Sequence, residues 1–267
     1  MAGAGGDGFG GIELALLDLD GTVYVGTQPV PGAAQAVARL RSGGVAVRFV
    51  SNSDLLTPEA LRRRLAGMGI QAAEGEVLTP VMLARELFSS LPGAAVLAVT
   101  SPAIRELLAD CLAKPGETPT HVLLSDPSWG ATYAELDAAF RAIRNGAELV
   151  ATQTARYAIR DDGEHLDAGS FVVLLEHASG ATARVLGKPS REFYQLALEA
   201  AGTEPARAVM VGDDLRSDVA GAKAVGLRAV LVRTGKGGGS PLPEGERTTP
   251  DAVIDSLASL PDLLGIE

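Results

Sequence analysis

Two carboxylates, Asp18 and Asp20, stand at the end of an apolar run near the start of the chain. The stretch reads LALLDLDGT, and Gly21 lets the backbone turn sharply directly after the second carboxylate. A buried parallel strand is a near-continuous apolar run, and ligands of open α/β sheets bind beyond the carboxyl ends of such strands. A carboxylate there is costly unless it is neutralised, and a divalent cation is the simplest partner. The spacing predicts a cation-assisted site at Asp18; the alternative is an ordinary Asp-Gly turn with Asp18 as a cap.

Three further polar segments stand at the ends of predicted core strands. They are Ser51-Asn52, Gly187-Lys188-Pro189, and Gly212-Asp213-Asp214 with Asp218 shortly after. Each segment alone has an ordinary explanation, such as a capping side chain or a solvated charge. Together with the first pair of carboxylates they supply a nucleophile, a general acid, a cation site and donors for phosphoryl oxygens. The combination indicates phosphoryl transfer from a monoester.

The elements that must position these residues alternate between short strands and longer helices, which predicts an α/β fold with a parallel sheet. In the core we expect strands at 45–50, 208–211 and 228–232, and helices at 31–42, 191–201, 214–225 and 256–264. From about residue 80 the alternation restarts as a block of its own. There we expect strands at 95–99, 121–124 and 148–152, and helices at 81–90, 102–113, 133–145 and 169–178.

Composition excludes several classes of partner. The 267 residues are 46% hydrophobic with a formal net charge of −10, which argues against nucleic acid or an anionic membrane as the main partner. Cys111 is the single cysteine, so no disulfide within the chain is expected, and a reducing compartment fits. Because no membrane-length apolar run and no secretory signal is seen, we expect a soluble, cytoplasmic protein.

The polar segments resemble the motifs of the haloacid dehalogenase superfamily of aspartyl-phosphate phosphatases. DLDGT is similar to the first motif, FVSN to the second, the lysine of VLGKP to the third, and VGDDLRSD to the acidic fourth. The large α/β insert between Ser51 and Lys188 resembles that of the NagD-like, large-cap branch. Closer still, GKPSREFYQLAL and VMVGDDLRSDVAGAKAVGLRAVLVRTGK resemble the phospholysine phosphohistidine inorganic pyrophosphate phosphatase group. The chain keeps Asp20, which some members of that group lack, and has Ser51 where Thr is commoner.

The resemblance, which spans essentially the whole chain, implies a Rossmann-like, haloacid dehalogenase-like parallel-sheet core with an inserted smaller α/β cap domain. The core would comprise residues 1–79 and 183–267, and the cap residues 80–182. Such a cap would exclude water during the first step and carry the groups that select the leaving group. The resemblance also makes a homodimer plausible.

The resemblance implies a role for each motif residue. Asp18 would attack phosphorus, and Asp20 would protonate the leaving oxygen and then activate the hydrolytic water. Mg²⁺ would be held by Asp18, the backbone carbonyl of Asp20, and Asp213. Ser51 would donate a hydrogen bond to a phosphoryl oxygen, and Lys188 would offset the charge of the nucleophile and the phosphoryl group.

Other residues would support this site or contact the substrate. Asp218 would hold Lys188 or a metal-bound water, and Asp214 would assist the fourth motif or favour a helix N-terminus. The remaining candidates for phosphate or substrate binding are Gly21, Asn52, Gln153, Thr154 and Arg156. The last three lie in ATQTARY after a predicted cap strand, where a specificity loop and a polar surface loop are both open interpretations.

The function therefore predicted is Mg²⁺-dependent hydrolysis of a small phosphorylated substrate through an aspartyl phosphate. A sugar phosphate, a nucleotide or pyridoxal phosphate competes as substrate with pyrophosphate or a phosphoamidate such as phospholysine or phosphohistidine. A non-catalytic phosphate-ligand binding protein and a phosphoacceptor switch are the alternatives from other classes. Retention of both Asp18 and Asp20 favours the enzyme, because a binding protein needs no general acid.

Overall fold

The computed structural model describes residues 8–160, 163–235 and 248–267, with the side chains of Ile159 and Arg160 left aside. Helices and strands alternate along the chain. The first part contains β1 (Leu14–Asp18), β2 (Tyr24–Val25), β3 (Gln28–Pro29), α1 (Ala33–Ser42), β4 (Ala46–Val50), α2 (Pro58–Gly67) and β5 (Val77–Leu78). Among the described residues, no helix combines the length and the apolar character needed to cross a membrane.

The middle and last parts continue this alternation. The middle part contains α3 (Pro80–Ser90), β6 (Val96–Val99), α4 (Pro102–Leu107), β7 (His121–Leu124), α5 (Tyr133–Arg144), β8 (Glu148–Ala151), β9 (Tyr157–Arg160), β10 (Gly163–Leu166), α6 (Ala168–Ser179) and β11 (Arg184–Val185). The last part contains α7 (Arg191–Ala201), β12 (Ala208–Gly212), α8 (Gly221–Ala224), β13 (Arg228–Val232), β14 (Ala252–Ile254) and α9 (Leu260–Leu263).

The core sheet has the strand order β14-β13-β12-β1-β4-β5, and its neighbouring strands are parallel. Every residue of β1 is buried, as expected for a central strand covered on both faces. Its sequence can therefore be apolar throughout rather than alternating. The α/β class with a parallel core sheet, predicted from the sequence, is confirmed, and the edge strands β5 and β14 are additions too short to show a period.

A second parallel sheet has the order β11-β8-β7-β6, and the hairpin of β9 and β10 is antiparallel. By its internal contacts the chain divides into two compact units. The first comprises Met1–Ser51, Leu61–Leu78 and Lys188–Glu267, and the second comprises Asn52–Ala60 and Thr79–Gly187. The second unit thus takes in Asn52–Ala60 and extends to Gly187. The domain limits expected from the sequence, with the cap at 80–182, stay a prediction.

Helix ends carry their signals in the sequence. At the start of α5, the Thr132 hydroxyl accepts the Glu135 N–H, and the Glu135 carboxylate accepts the Thr132 N–H, which is a capping box. At the end of α7, Gly202 takes the left-handed conformation with φ of 62°. These local signals explain why α5 begins and α7 ends where the sequence pattern predicts.

Two predicted helices are interrupted. The helix expected at 102–113 stops at Leu107 and continues as a 3₁₀ turn, because Leu112 leaves to form a β-bridge with Val96. The helix expected up to Val225 opens as a π-helix at Leu215–Ala220 and becomes α-helical only from Gly221. Such π segments often occur at functional sites.

Asp54 is a buried carboxylate in the second unit. It is 3% exposed, and its Oδ2 accepts hydrogen bonds from the Thr152 hydroxyl at 2.5 Å and the Asp126 N–H at 3.0 Å. Burial raises the pKa of Asp54 to about 7, with smaller raising contributions from the charges of Asp167 and Asp126. These two hydrogen bonds favour the ionised form but do not outweigh burial. The folded state therefore favours the neutral carboxyl.

This raised pKa predicts a pH-dependent penalty on stability. Between the ordinary pKa of 3.8 and about 7, the unfolded chain ionises Asp54 while the folded chain keeps the proton, so stability is lost as pH rises. The full penalty, reached above pH 7, is up to about 4 kcal/mol. We expect Asp54→Asn, which cannot ionise, to be more stable than the wild type at pH 8 and to lose that advantage towards pH 4.

Urea unfolding of both proteins at several pH values measures this difference. Asp110→Asn, an exposed carboxylate of the same unit, is the matched control and should show no such trend. An advantage of Asp54→Asn that does not vary with pH would contradict the prediction.

Candidate active site

Three neighbouring strands end at the same edge of the core sheet and carry polar residues there. β1 lies between β12 and β4, and Asp18 is in register with Val50. Ser51 directly follows β4, and Asp213 directly follows β12. Because parallel strands bring their carboxyl ends to one edge, residues far apart in sequence meet there.

Lys188 joins two carboxylates from different elements. Its Nζ lies 2.6 Å from Asp18 Oδ1 and 2.8 Å from Asp218 Oδ1, and it also donates to the Val50 carbonyl at 3.4 Å. The lysine is 3% exposed and Asp218 is 1% exposed. The two ion pairs are therefore shielded from water and from screening by salt.

Three carboxylates converge at this edge. One oxygen from each of Asp18, Asp213 and Asp218 lies within 4.8 Å of the others, and all three residues are buried. Carboxylate oxygens are the ligands that Mg²⁺ and other hard cations prefer. The donor set fits a divalent cation, and such an ion would also relieve the repulsion between these charges.

Electrostatics at the site oppose the ionised form of Asp18. Burial raises the pKa of Asp18 to about 8; Lys188 lowers it, and the charges of Asp218 and Asp213 raise it further. For Lys188, burial lowers the pKa, but Asp18 and Asp218 outweigh burial and hold it above its usual range. The lysine therefore stays charged, yet by itself it does not offset burial and repulsion at Asp18.

Two glycines allow the carboxylates to approach the backbone. A Cβ on Gly21 would lie 2.3 Å from Asp213 Oδ2, and Gly21 has φ of 92°, which side chains rarely adopt. A Cβ on Gly212 would lie 2.2 Å from Asp218 Oδ2. Asp213 and Asp218 occupy the space that side chains at these positions would fill.

The π-helix orients the fourth motif. Asp214 Oδ1 accepts the N–H groups of Arg216 and Ser217, so Asp214 caps this segment. Asp218 lies one turn further on and points to Lys188, and its other oxygen accepts the Asp214 N–H at 3.1 Å. From α7, the buried Tyr194 hydroxyl donates to the Ser217 carbonyl at 2.6 Å.

The other sequence-predicted residues lie outside this carboxylate group. Asp20 is exposed, and its Oδ1 accepts the Gly26 N–H at 3.2 Å. Asn52 belongs to the second unit, where its Oδ1 lies 2.7 Å from the position a Cβ on Gly187 would take. The roles proposed for these residues remain predictions.

The predicted specificity loop lies between β8 and β9 of the second unit. Gln153 is buried; its Nε2 donates to Asp167 Oδ1 at 2.6 Å, and its Oε1 accepts the Ala155 N–H. Thr154 is half-buried and Arg156 is exposed. The structure thus anchors Gln153 inside its own unit, and both interpretations of the loop stay open.

Sequence patterns miss two residues that the structure singles out. Asp54 lies in a polar stretch without periodicity, and its burial follows only from contacts with residues about 70 to 100 positions later. Arg64 is one of three consecutive arginines on α2, and nothing in the sequence distinguishes it from Arg63. The sequence pattern also gives no prediction of the antiparallel pair of strands β9 and β10.

Two family models match the chain, one towards each end. A haloacid dehalogenase-like hydrolase model matches residues 15–113, and a second haloacid dehalogenase-like hydrolase model matches residues 185–260. Haloacid dehalogenase-like hydrolase domain-containing protein 2 from Homo sapiens is 38% identical over 84% of this chain and 85% of its own length. Phospholysine phosphohistidine inorganic pyrophosphate phosphatase from Xenopus laevis is 34% identical over 95% of each chain.

Solved structures share the fold. A glycerol phosphate phosphatase from Mycobacterium tuberculosis, in complex with magnesium, has a TM-score of 0.81 at 30% identity, covering 94% of this chain and 76% of that one. A protein assigned to the NagD group has a TM-score of 0.83 at 25% identity, covering 95% and 98% of the two chains.

The chain belongs to the haloacid dehalogenase-like hydrolases. Within that family it is an enzyme of the phosphatase type, and its relatives include the phospholysine phosphohistidine inorganic pyrophosphate phosphatases. The resemblance and the enzyme class predicted from the sequence are confirmed.

The buried ion pairs predict a large cost for removing Lys188. Lys188→Met leaves Asp18 and Asp218 without the ammonium group that bonds both of them, and breaking a buried pair in this way costs about 3–5 kcal/mol. We expect this loss in the free energy of unfolding, measured with urea in the presence of a chelator at pH 9, which lies above the pKa of Asp18 of about 8. Lys223→Met, which removes a more exposed pair with Asp251, should cost less than about 1 kcal/mol. Equal costs for the two variants would contradict the prediction.

Proposed function

We propose that this protein is a Mg²⁺-dependent phosphatase that hydrolyses a small phosphorylated substrate through an aspartyl phosphate on Asp18. The observation that carries the proposal is the buried arrangement in which Lys188 bonds Asp18 and Asp218 while Asp213 converges on the same place. A family phosphatase of known structure that binds magnesium supports it.

The residues present fit Mg²⁺ as the cofactor. Asp18 and Asp213 would hold the ion together with the backbone carbonyl of Asp20, and Asp218 would act through Lys188 or a bound water. When bound, Mg²⁺ would offset the negative charge of the phosphoryl oxygens and favour the ionised form of Asp18.

The reaction would proceed through two displacements at phosphorus, carried out by Asp18 and Asp20. In the first, a carboxylate oxygen of Asp18 bonds to phosphorus while the bond to the leaving oxygen breaks and Asp20 gives that oxygen a proton. In the second, Asp20 takes a proton from water as the water oxygen bonds to phosphorus, and the bond to Asp18 breaks. Phosphate leaves, and both carboxyl groups return to their starting forms.

Donors would hold the phosphoryl group during both steps. The Ser51 hydroxyl, Asn52 and the backbone around Gly21 would donate hydrogen bonds to its oxygens. Lys188 would balance the charge that accumulates when the phosphoryl group approaches Asp18. The loop with Gln153, Thr154 and Arg156 would contact the leaving group; these assignments extend the family resemblance to this chain.

A phosphoamidate or pyrophosphate is a second candidate substrate class. The relative from Xenopus laevis, whose name specifies phospholysine, phosphohistidine and inorganic pyrophosphate, aligns over 95% of the chain and supports this candidate. The same two displacements would apply, with an amine or a phosphate as the leaving group. A cytoplasmic location and a homodimer complete the proposal.

The decisive experiment is release of inorganic phosphate from a substrate panel, with Mg²⁺ and with chelator. The panel would contain three kinds of alkyl phosphate: glycerol phosphate, sugar phosphates and nucleotides. It would also contain pyridoxal phosphate, 4-nitrophenyl phosphate, pyrophosphate and phosphoamidates. We expect turnover that requires Mg²⁺ and falls at least about a thousandfold in Asp18→Asn, since that variant lacks the nucleophile. Asp110→Asn should match the wild type. Turnover that persists in Asp18→Asn would refute the role of Asp18.

Metal binding can be tested without turnover. Asp213→Asn removes one charged ligand from the carboxylate group, so its affinity for Mg²⁺, measured by titration calorimetry, should fall about tenfold or more. Asp255→Asn, on the exposed surface, should bind as the wild type does. An unchanged affinity in Asp213→Asn would place the ion elsewhere.

A further inference from the structure

The hairpin that follows Asp20 is small and needs support from other elements. This flap hairpin, residues 24–29, pairs Tyr24 with Pro29 and Val25 with Gln28. A two-stranded hairpin of this size is at best marginally stable by itself. Its conformation therefore depends on the groups that bind it from outside.

The flap hairpin binds the side chain of Asp20 directly. The Gly26 N–H donates to Asp20 Oδ1 at 3.2 Å, and Gly26 has φ of 57°. At its base, the Gly21 N–H donates to the Tyr24 carbonyl at 2.7 Å. The direction in which the Asp20 carboxyl points is thus tied to the position of the hairpin turn.

Arg64, from helix α2, holds this turn from the other side. Its guanidinium donates to the Gly26 carbonyl at 2.8 Å and lies 4.7 Å from the centre of the Tyr24 ring. Tyr24 is 3% exposed, so the ring is fixed in the core while the guanidinium lies over it. One planar group therefore links the base of the hairpin to the residue at its tip.

Gly26 takes part in both hydrogen bonds. Gly26 accepts from Arg64 through its carbonyl and donates to Asp20 through its N–H. A shift of this residue would move the donor that Asp20 uses. All four residues, Asp20, Tyr24, Gly26 and Arg64, lie in the first unit.

We propose that Arg64 is a positioning residue for Asp20: by clamping Tyr24 and Gly26 it holds the flap hairpin so that the Asp20 carboxyl is aimed at the leaving-group oxygen. The inference rests on the proposed role of Asp20 as the general acid. Arg64 itself touches no reacting atom in this scheme.

A positioning role and a merely structural role differ in their dependence on the leaving group. An alkoxide is a poor leaving group and needs a proton as its bond to phosphorus breaks, whereas 4-nitrophenolate leaves readily as an anion. The value of kcat/KM reports the steps up to departure of the leaving group, so hydrolysis of the aspartyl phosphate does not affect it. Loss of proton delivery should therefore lower kcat/KM for an alkyl phosphate and leave kcat/KM for 4-nitrophenyl phosphate nearly unchanged.

The experiment compares the full-length chain and its variants, with Mg²⁺, on the best alkyl phosphate of the panel and on 4-nitrophenyl phosphate. We expect Arg64→Ala to lower kcat/KM about tenfold on the alkyl phosphate and less than about twofold on the aryl phosphate. Arg64→Lys keeps the charge but loses the planar fork, so it should show the same selectivity. Arg63→Ala, exposed on the same helix, is the matched control and should leave both values unchanged.

A double-mutant cycle with Asp20→Asn separates the inference from the proposed function. If Arg64 acts through Asp20, then Arg64→Ala should cost less than about twofold on the alkyl phosphate once Asp20 is replaced. Equal losses on both substrates in Arg64→Ala, or an undiminished loss in the Asp20→Asn background, would overturn the inference while leaving the function intact. If Asp20→Asn itself shows no dependence on the leaving group, the role of Asp20 fails, and the inference fails with it.

Discussion

Repulsion among the buried carboxylates of Asp18, Asp213 and Asp218 is the constraint on which the site depends. Lys188 bonds two of the three, but burial and the remaining charges still raise the pKa of Asp18 to about 8. A cluster of this kind would not persist for the stability of the fold alone, since apolar residues of similar volume would serve at least as well. The carboxylates are suited to a cation, whose charge is opposite to theirs. Lys188 is suited to a phosphoryl group, whose charge is opposite to that of the ammonium group.

The parallel sheet explains how these groups come together. β1 is central, with β12 and β4 as its neighbours, so Asp18, Asp213 and Ser51 reach the same edge. Two close approaches of side chain to backbone, at Gly21 and Gly212, then bring the carboxylates near one another. The π-helix after Asp214 supplies the remaining turn that directs Asp218 to Lys188. The rigid strands fix where the charges lie, and the irregular segments fix where they point.

The second unit contains a buried carboxyl group for which the folded state favours the neutral form. Asp54 has two hydrogen-bond donors, the Thr152 hydroxyl and the Asp126 N–H, but burial still dominates its pKa. It lies three residues after Ser51 along the chain, in a segment whose contacts are made with the second unit. The chain therefore passes from the first unit to the second between Ser51 and Asn52.

The sequence by itself determined the fold class, the family and the edge of the sheet at which Asp18, Lys188 and Asp213 would meet. It could do so because apolar runs and motifs are local patterns, and because parallel strands bring their carboxyl ends to the same edge of a sheet. Only the tertiary structure decided that Lys188 is the partner of Asp218, that Asp54 is buried, and that Arg64 rather than Arg63 contacts the flap hairpin. The physical reason is that burial, charge and hydrogen-bond direction at these residues depend on contacts with segments distant in sequence, which leave no periodic signal in the chain.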